Sequence, residues 1–300
     1  MSRLFDAYVI VSWSAAEAKK TGEQSVWIGV AKRDARFRLT YESHNPATRS
    51  AGEAMLRTVL ADLRRRGDRA LIGFDFPLGY PAGTAERLKL AGTPWAAMWK
   101  FIGQNVVDKA DNTNNRFAVA AKINRLMTDE PRPFWGAPAR QVQRWLTSTK
   151  PAAGYGDIPE FRATERATIA GKRKPLSVWQ MMGAGAIGGH ALLGVAAARR
   201  LVEELGESAA VWPFGTGWRK LEPADVQPLS ALLVEVWPAL LPVKAQPGEV
   251  KDAAEVRTAA EHFARLDDKG DLAPLFAAPK SATEDLVTAV EQEEGWILGV

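Results

Sequence analysis

The chain has 300 residues, 46% hydrophobic and 25% charged, with a net charge of +4, 11 tryptophans, three histidines and no cysteine. This length fits one large domain or two ordinary ones, and the balance of residue types excludes wholesale disorder. Without Cys there are no disulfides, thiolate nucleophiles, iron–sulfur clusters or Cys-based zinc sites, and His44, His190 and His262 are too scattered for a His-rich metal site.

In chain order, the opening M-S-R-L-F-D-A-Y contains an acid and no long apolar core, so it does not read as a signal peptide. The apolar run Tyr8–Val11, continuing into Ser12-Trp13-Ser14, predicts a strand covered on both faces. Strands follow at Ser25–Val30 and Phe37–Tyr41. Ser50, with Glu53 in capping-box spacing, predicts a helix start; Met55, Val59, Leu60 and Leu63 form its apolar face, and Gly67 can end it. A fourth strand, Ala70–Asp75, ends on an acid and runs into Phe76-Pro77-Leu78-Gly79. Residues 80–180 are rich in Pro and Trp and read as an insertion with shorter helices. A long helix is expected over Gly188–Leu205, strands at Ala209–Phe214 and Ala231–Val236, and closing helices at Asp252–Leu266 and Ala282–Glu294. The fold class is therefore α/β, beginning β-β-β-α-β. No internal repeat is visible.

Pro175–Ala198 carries no charge, but its five glycines and mostly alanine apolar content fit a tightly packed helix better than a membrane span. A cytoplasmic protein with no membrane partner is expected. Charge is uneven: Lys109–Lys174 holds 13 Lys/Arg against 6 Asp/Glu, whereas Gln246–Val300 holds 5 against 12. A basic middle could attract a nucleic acid or a nucleotide-like phosphate ligand, or it could be a solvated face. Arg116, Arg132 and Arg140 are the candidates for phosphate contact, and Trp135 and Trp145 could stack on a base or pack in the core.

Asp75 and Glu235 both terminate apolar strands, where an uncompensated carboxylate is costly. Mg²⁺ or Mn²⁺ would compensate them, and open α/β sheets place ligands outside the carboxyl ends of their strands. For Asp75 a turn-forming role before Phe76-Pro77 is the alternative. Gly183-Ala184-Gly185-Ala186-Ile187-Gly188 fits G-x-G-x-x-G before a helix, with Ser177–Met182 as a possible preceding strand. No acid ends the next strand to hold a ribose, so the glycines serve either a dinucleotide or close helix packing. His190 could act as a base there or simply pack, and His262 lies on an amphipathic helix.

The β-β-β-α-β start, the F-D-F-P-L-G turn and the late V-E-V-W-P strand resemble the RNase H-like fold. More narrowly, the chain resembles the bacterial family of predicted RNase H-like nucleases. That family's I-D-x-P-x-G motif is matched by Asp75, Pro77 and Gly79, and its E-V-x-P motif by Glu235, Val236 and Pro238. Segments such as P-F-W-G-A-P and E-E-G-W-I-L-G-V look like its Trp-rich alphaproteobacterial branch, sometimes labelled molybdopterin-guanine-dinucleotide biosynthesis. The resemblance implies a single RNase H-like domain over residues 1–300, inserted at about 80–180, and metal-dependent phosphodiester hydrolysis. Its ion ligands would be Asp75, Glu235 and a late-helix acid, with Asp285 beside Glu284 as the positional match and Asp252 as competitor. One departure stands out. Where the family carries a first-strand Asp, this chain has Ser12, whose hydroxyl is a poor ligand for Mg²⁺. The expected function is thus a nuclease impaired at Ser12. The alternatives are a non-catalytic nucleotide- or protein-binding relative, or a molybdenum-cofactor or dinucleotide-related enzyme built on Gly183–Gly188.

Overall fold

Period-two alternation along the central strands gives the sheet an apolar core on each face. In the computed structural model, which describes residues 3–152 and 154–300, six strands form one mixed sheet. They are β1 (Ala7–Ser12), β2 (Trp27–Arg33), β3 (Leu39–His44), β4 (Ala70–Phe74), β5 (Ala209–Val211) and β6 (Ala231–Glu235), in spatial order β3-β2-β1-β4-β6-β5. β2 is antiparallel to both neighbours, while β1, β4, β6 and β5 run parallel. The register pairs Val11 with Phe74 and Phe74 with Glu235, so the carboxyl ends of β1, β4 and β6 lie side by side.

The helices are α1 (Arg49–Arg65), α2 (Thr84–Arg87), α3 (Pro94–Asn105), α4 (Arg116–Thr128), α5 (Ala163–Ala170), α6 (Gly188–Leu205), α7 (Pro223–Val226), α8 (Lys251–Lys269) and α9 (Glu284–Ala289). Val9, Val11, Ile72, Phe74 and Leu233 face a core shared with α1 and α6, whereas Tyr8, Ile10, Leu71, Leu232 and Val234 face one closed by α8. In α8 the facing stripe is Val256, Ala259, Ala260 and Phe263; its small residues let the helix lie close over β1 and β2. Residues between β4 and α6 add Phe117, Phe134, Leu146 and Trp179 to the first core. Asn124, fully buried, ties that region together by donating to the carbonyls of Phe134 (2.8 Å) and Trp145 (2.6 Å). Trp145 packs against this core, and its indole donates to Asp129.

Several boundaries move from the sequence reading. Thr48, not Ser50, caps α1, accepting from the Ala51 amide at 3.1 Å, and Glu53 pairs with Arg200 instead of closing a capping box. Phe37 lies before β3 at a positive φ of 62° and is exposed. β5 stops at Val211, ahead of Trp212-Pro213. Ser177–Met182 forms no strand, its sheet-like pairing being a single bridge from Trp135 to Gln180. The last helix passes into a π-helical turn over Val290–Glu294. Among the described residues, no helix is long and apolar enough to cross a membrane.

Candidate functional site at the strand ends

Because β1, β4 and β6 are parallel neighbours, their terminal residues converge on one edge of the sheet. A cavity of about 420 Å³ opens there, lined by Asp75, Glu165, Lys174, Gly185, Glu235 and Trp237, among others. That volume suits a small molecule.

Asp75 follows the last residue of β4. Its Oδ1 accepts from the Trp13 amide at 2.8 Å, and the Ser12 hydroxyl donates to the same carboxyl. Both donors belong to the end of β1, so Ser12 does stand beside Asp75. Burial pushes the Asp75 carboxyl up to about 7, partly opposed by those two hydrogen bonds, while Glu255 and Asp252 on α8 add to the rise. Among the described residues no cation pairs with it.

Glu235 is handled differently. Its two oxygens accept from Arg162 Nη2 (2.6 Å) and Nη1 (2.7 Å), and Oε2 also accepts from the Leu78 amide at 3.1 Å. Arg162 has no exposure; it also pairs with Glu165 and donates to the Glu294 carbonyl at 2.9 Å. Burial works against the Arg162 charge, but Glu165 and Glu235 outweigh it and hold the guanidinium well above its ordinary value. Burial likewise pushes the Glu235 carboxyl upward, against the pull of Arg162.

The same network fixes the F-D-F-P-L-G turn. Glu294 accepts from the amides of Ala82 (2.9 Å) and Ala163 (2.6 Å), and Glu293 from those of Gly83 (2.7 Å) and Ala85 (2.6 Å). At Gly79 a Cβ would sit 2.3 Å from the carbonyl oxygens of Glu293 and Glu294, so only glycine allows the C-terminal segment this close. The acidic C-terminal region is therefore partly internal wiring, not only a solvated face.

Of the two late helices, α8 carries the acids that act on Asp75. Asp252 accepts from the Gln24 amide at 2.6 Å, and Glu255, half-buried one turn on, pairs with Lys251 at 3.5 Å. Asp285 and Glu284 are exposed in the first turn of α9, and neither lines the cavity. The three arginines divide too. Arg116 and Arg140 meet at Glu17, whereas Arg132 pairs with Glu130, and none lines the cavity.

Asp75 and Glu235 line one cavity with different partners. Ser12 offers only a hydroxyl, Arg162 takes both oxygens of Glu235, and among the described residues no group of three or more His, Cys, Asp or Glu side chains is placed to hold a metal ion. Gly183–Gly188 does line the cavity in part, but no strand precedes it. A Cβ at Gly188 would lie 2.4 Å from the Val178 carbonyl oxygen, so that glycine lets the start of α6 pack closely. His190 hydrogen-bonds the Ala186 carbonyl at 3.1 Å, and burial pushes it down to about 4, leaving a neutral ring. His262 lies on α8 away from these residues, in an apolar groove with Phe263. Sequence reading missed Arg162, Glu165, Glu255, Glu293 and Glu294. Only the Arg162–Glu165 spacing on one helix turn offered a local signal.

The chain matches no family model, no curated protein and no solved structure.

Proposed function

We propose that the chain is an RNase H-like protein whose strand-end cavity binds a nucleotide-sized phosphate ester and uses Asp75 as the proton-transferring group for its hydrolysis. The observation that carries this is Asp75 itself: a carboxyl with no cationic partner among the described residues, at the cavity wall, held at about 7. A general acid or base works best with a pKa near the operating pH. The strand order and the matches at Asp75-Phe76-Pro77-Leu78-Gly79 and Glu235-Val236-Trp237-Pro238 support the RNase H-like assignment. Lys174 at the cavity supplies positive charge for a phosphate. Cleavage of nitrophenyl phosphate esters and nucleotides, followed from pH 5 to 9, tests the reading. A rate that titrates near 7 and is lost in Asp75→Asn is expected; an unchanged rate in that variant sinks it.

A second reading, metal-dependent phosphodiester hydrolysis, is favoured by one observation. α8 sets Asp252 and Glu255 close enough to Asp75 to raise its pKa, so acids do converge there. Under this reading Mg²⁺ or Mn²⁺ raises the unfolding temperature, and Ser12→Asp strengthens that effect. No shift at millimolar metal in either protein rejects it.

A further inference from the structure

In the loop that follows β1 and at the start of α4, the chain places more cationic hydrogen-bonding capacity than the acids there satisfy. Arg116 opens α4, is only 8% exposed, and lies over the Phe117 ring with its guanidinium carbon 4.3 Å from the centroid. Its Nη1 meets Asn114 Oδ1 at 2.9 Å and Glu17 Oε1 at 3.2 Å. Its Nε is buried with no hydrogen-bond partner. A Cβ at Gly189 would approach that Nε to 3.2 Å, so the first turn of α6 packs directly on this guanidinium. Burial lowers the Arg116 pKa, and although Glu17 opposes this, Arg49 and Arg140 reinforce it. Arg49 is spoken for, with both Asp108 oxygens at 2.6 Å. Arg140 is not buried; it reaches Glu17 from the surface, with 70% of its side chain exposed. One partly exposed carboxylate, Glu17, thus bridges two arginines from separate segments.

We propose that Arg116 and Arg140 form a binding site for a ligand's phosphate or carboxylate group, and that Glu17 fills it as an internal stand-in until the ligand displaces it. Two guanidinium groups converging on one anion suit these ligands, since each presents planar paired donors. Glu17 is well suited to leave: it sits in the loop between β1 and β2, is a third exposed, and among the described residues makes its ion pairs only to these two arginines. None of these three side chains lines the Asp75 cavity, so the proposal holds or fails independently of the hydrolytic reading.

Calorimetric titration of the full chain with inorganic phosphate, and separately with malonate, tests the proposal without any turnover. Wild type should bind weakly because Glu17 competes. Glu17→Gln should bind one or both anions about tenfold more tightly, and which anion gains more identifies the ligand group. Adding Arg140→Ala to Glu17→Gln should remove most of that gain, at a surface position that leaves folding intact. Adding Arg116→Lys should also weaken binding, because an ammonium lacks the paired donors. Equal binding by wild type and Glu17→Gln overturns the proposal, as does a gain that survives the loss of Arg140.

Discussion

Asp75 and Glu235 end neighbouring parallel strands, in register through Phe74, yet their surroundings differ completely. Glu235 sits in a closed network, both oxygens on Arg162, with Glu165, Glu294 and the Leu78 amide completing it. Asp75 has an amide and a hydroxyl for company, and two acids on α8 behind it. Both are acids at the ends of buried strands, and only long-range partners separate their roles. Glu235 holds the C-terminal segment against the turn after β4. Asp75 is left with a carboxyl that can change charge near neutral pH. A fixed charge suits a structural clamp, and a movable proton suits chemistry.

The sharpest way to break this contrast is to remove Arg162. Arg162→Met leaves Glu235 and Glu165 buried beside each other without a counter-charge, a loss expected to reach about 3–5 kcal/mol. Urea unfolding at pH 8 measures it. Without the guanidinium the Glu235 carboxyl rises further, so the variant should regain stability as pH falls and the carboxyl becomes neutral. The double variant Arg162→Met/Glu235→Gln should recover part of the loss at pH 8. A single-variant loss below about 1 kcal/mol, in the range of exposed pairs, would mean the network is not the clamp described.

Asp75 should behave in the opposite sense. Its folded pKa of about 7 lies above the ordinary 3.8, so the folded state binds the proton more tightly than the unfolded chain. Its contribution to stability is complete below about 4 and is lost as pH rises toward 7. Asp75→Asn, which keeps an oxygen for the Trp13 amide, should therefore match wild type near pH 4. It should exceed wild type at pH 8 by up to about 4 kcal/mol. A variant less stable than wild type at pH 8 would show Asp75 to be a structural ion after all.

This contrast also marks what the sequence makes legible. The order β-β-β-α-β and the long helix at Gly188–Leu205 follow from local periodicity and agree with the sheet and with α6, while several strand ends shift by two or three residues. The end-of-strand acids were visible because a charge closing an apolar run is a local anomaly. Their fates were not, because Arg162 lies 73 positions before Glu235 in the chain, and the glutamates that fasten the turn after β4 lie more than 200 positions beyond it. The cap of α1 was misplaced by two residues because Thr48 and Ser50 offer the same hydroxyl, and only backbone direction at Thr48 selects between them. Asp285 was favoured by position along the chain, yet position within a late helix says nothing about which helix crosses the open strand ends. In this fold α8 packs over β1 and β2 through its alanine-rich face, and Asp252 in its first turn holds the Gln24 amide.

The choice between those two late helices yields the smallest and most specific effect. If α8 supplies the field that Asp75 feels, neutralising its acids should let Asp75 ionise more easily. Glu255, half-buried and named with Asp252 among the causes of the raised Asp75 pKa, is the better target, since Asp252 also holds the Gln24 amide and its loss would loosen the β1–β2 loop. Glu255→Gln should lower the Asp75 titration midpoint, read from the carboxyl carbon by NMR, by on the order of 0.3 pH units. Raising the salt concentration should shrink that difference, because Glu255 is only half-buried and its charge is open to screening. Asp285→Asn should leave the midpoint where it is, since that side chain is exposed on α9. A shift on Asp285→Asn equal to that on Glu255→Gln would mean that Asp75 responds only to the net charge of the acidic C-terminal region. The close approach of α8 would then have no special role in its chemistry.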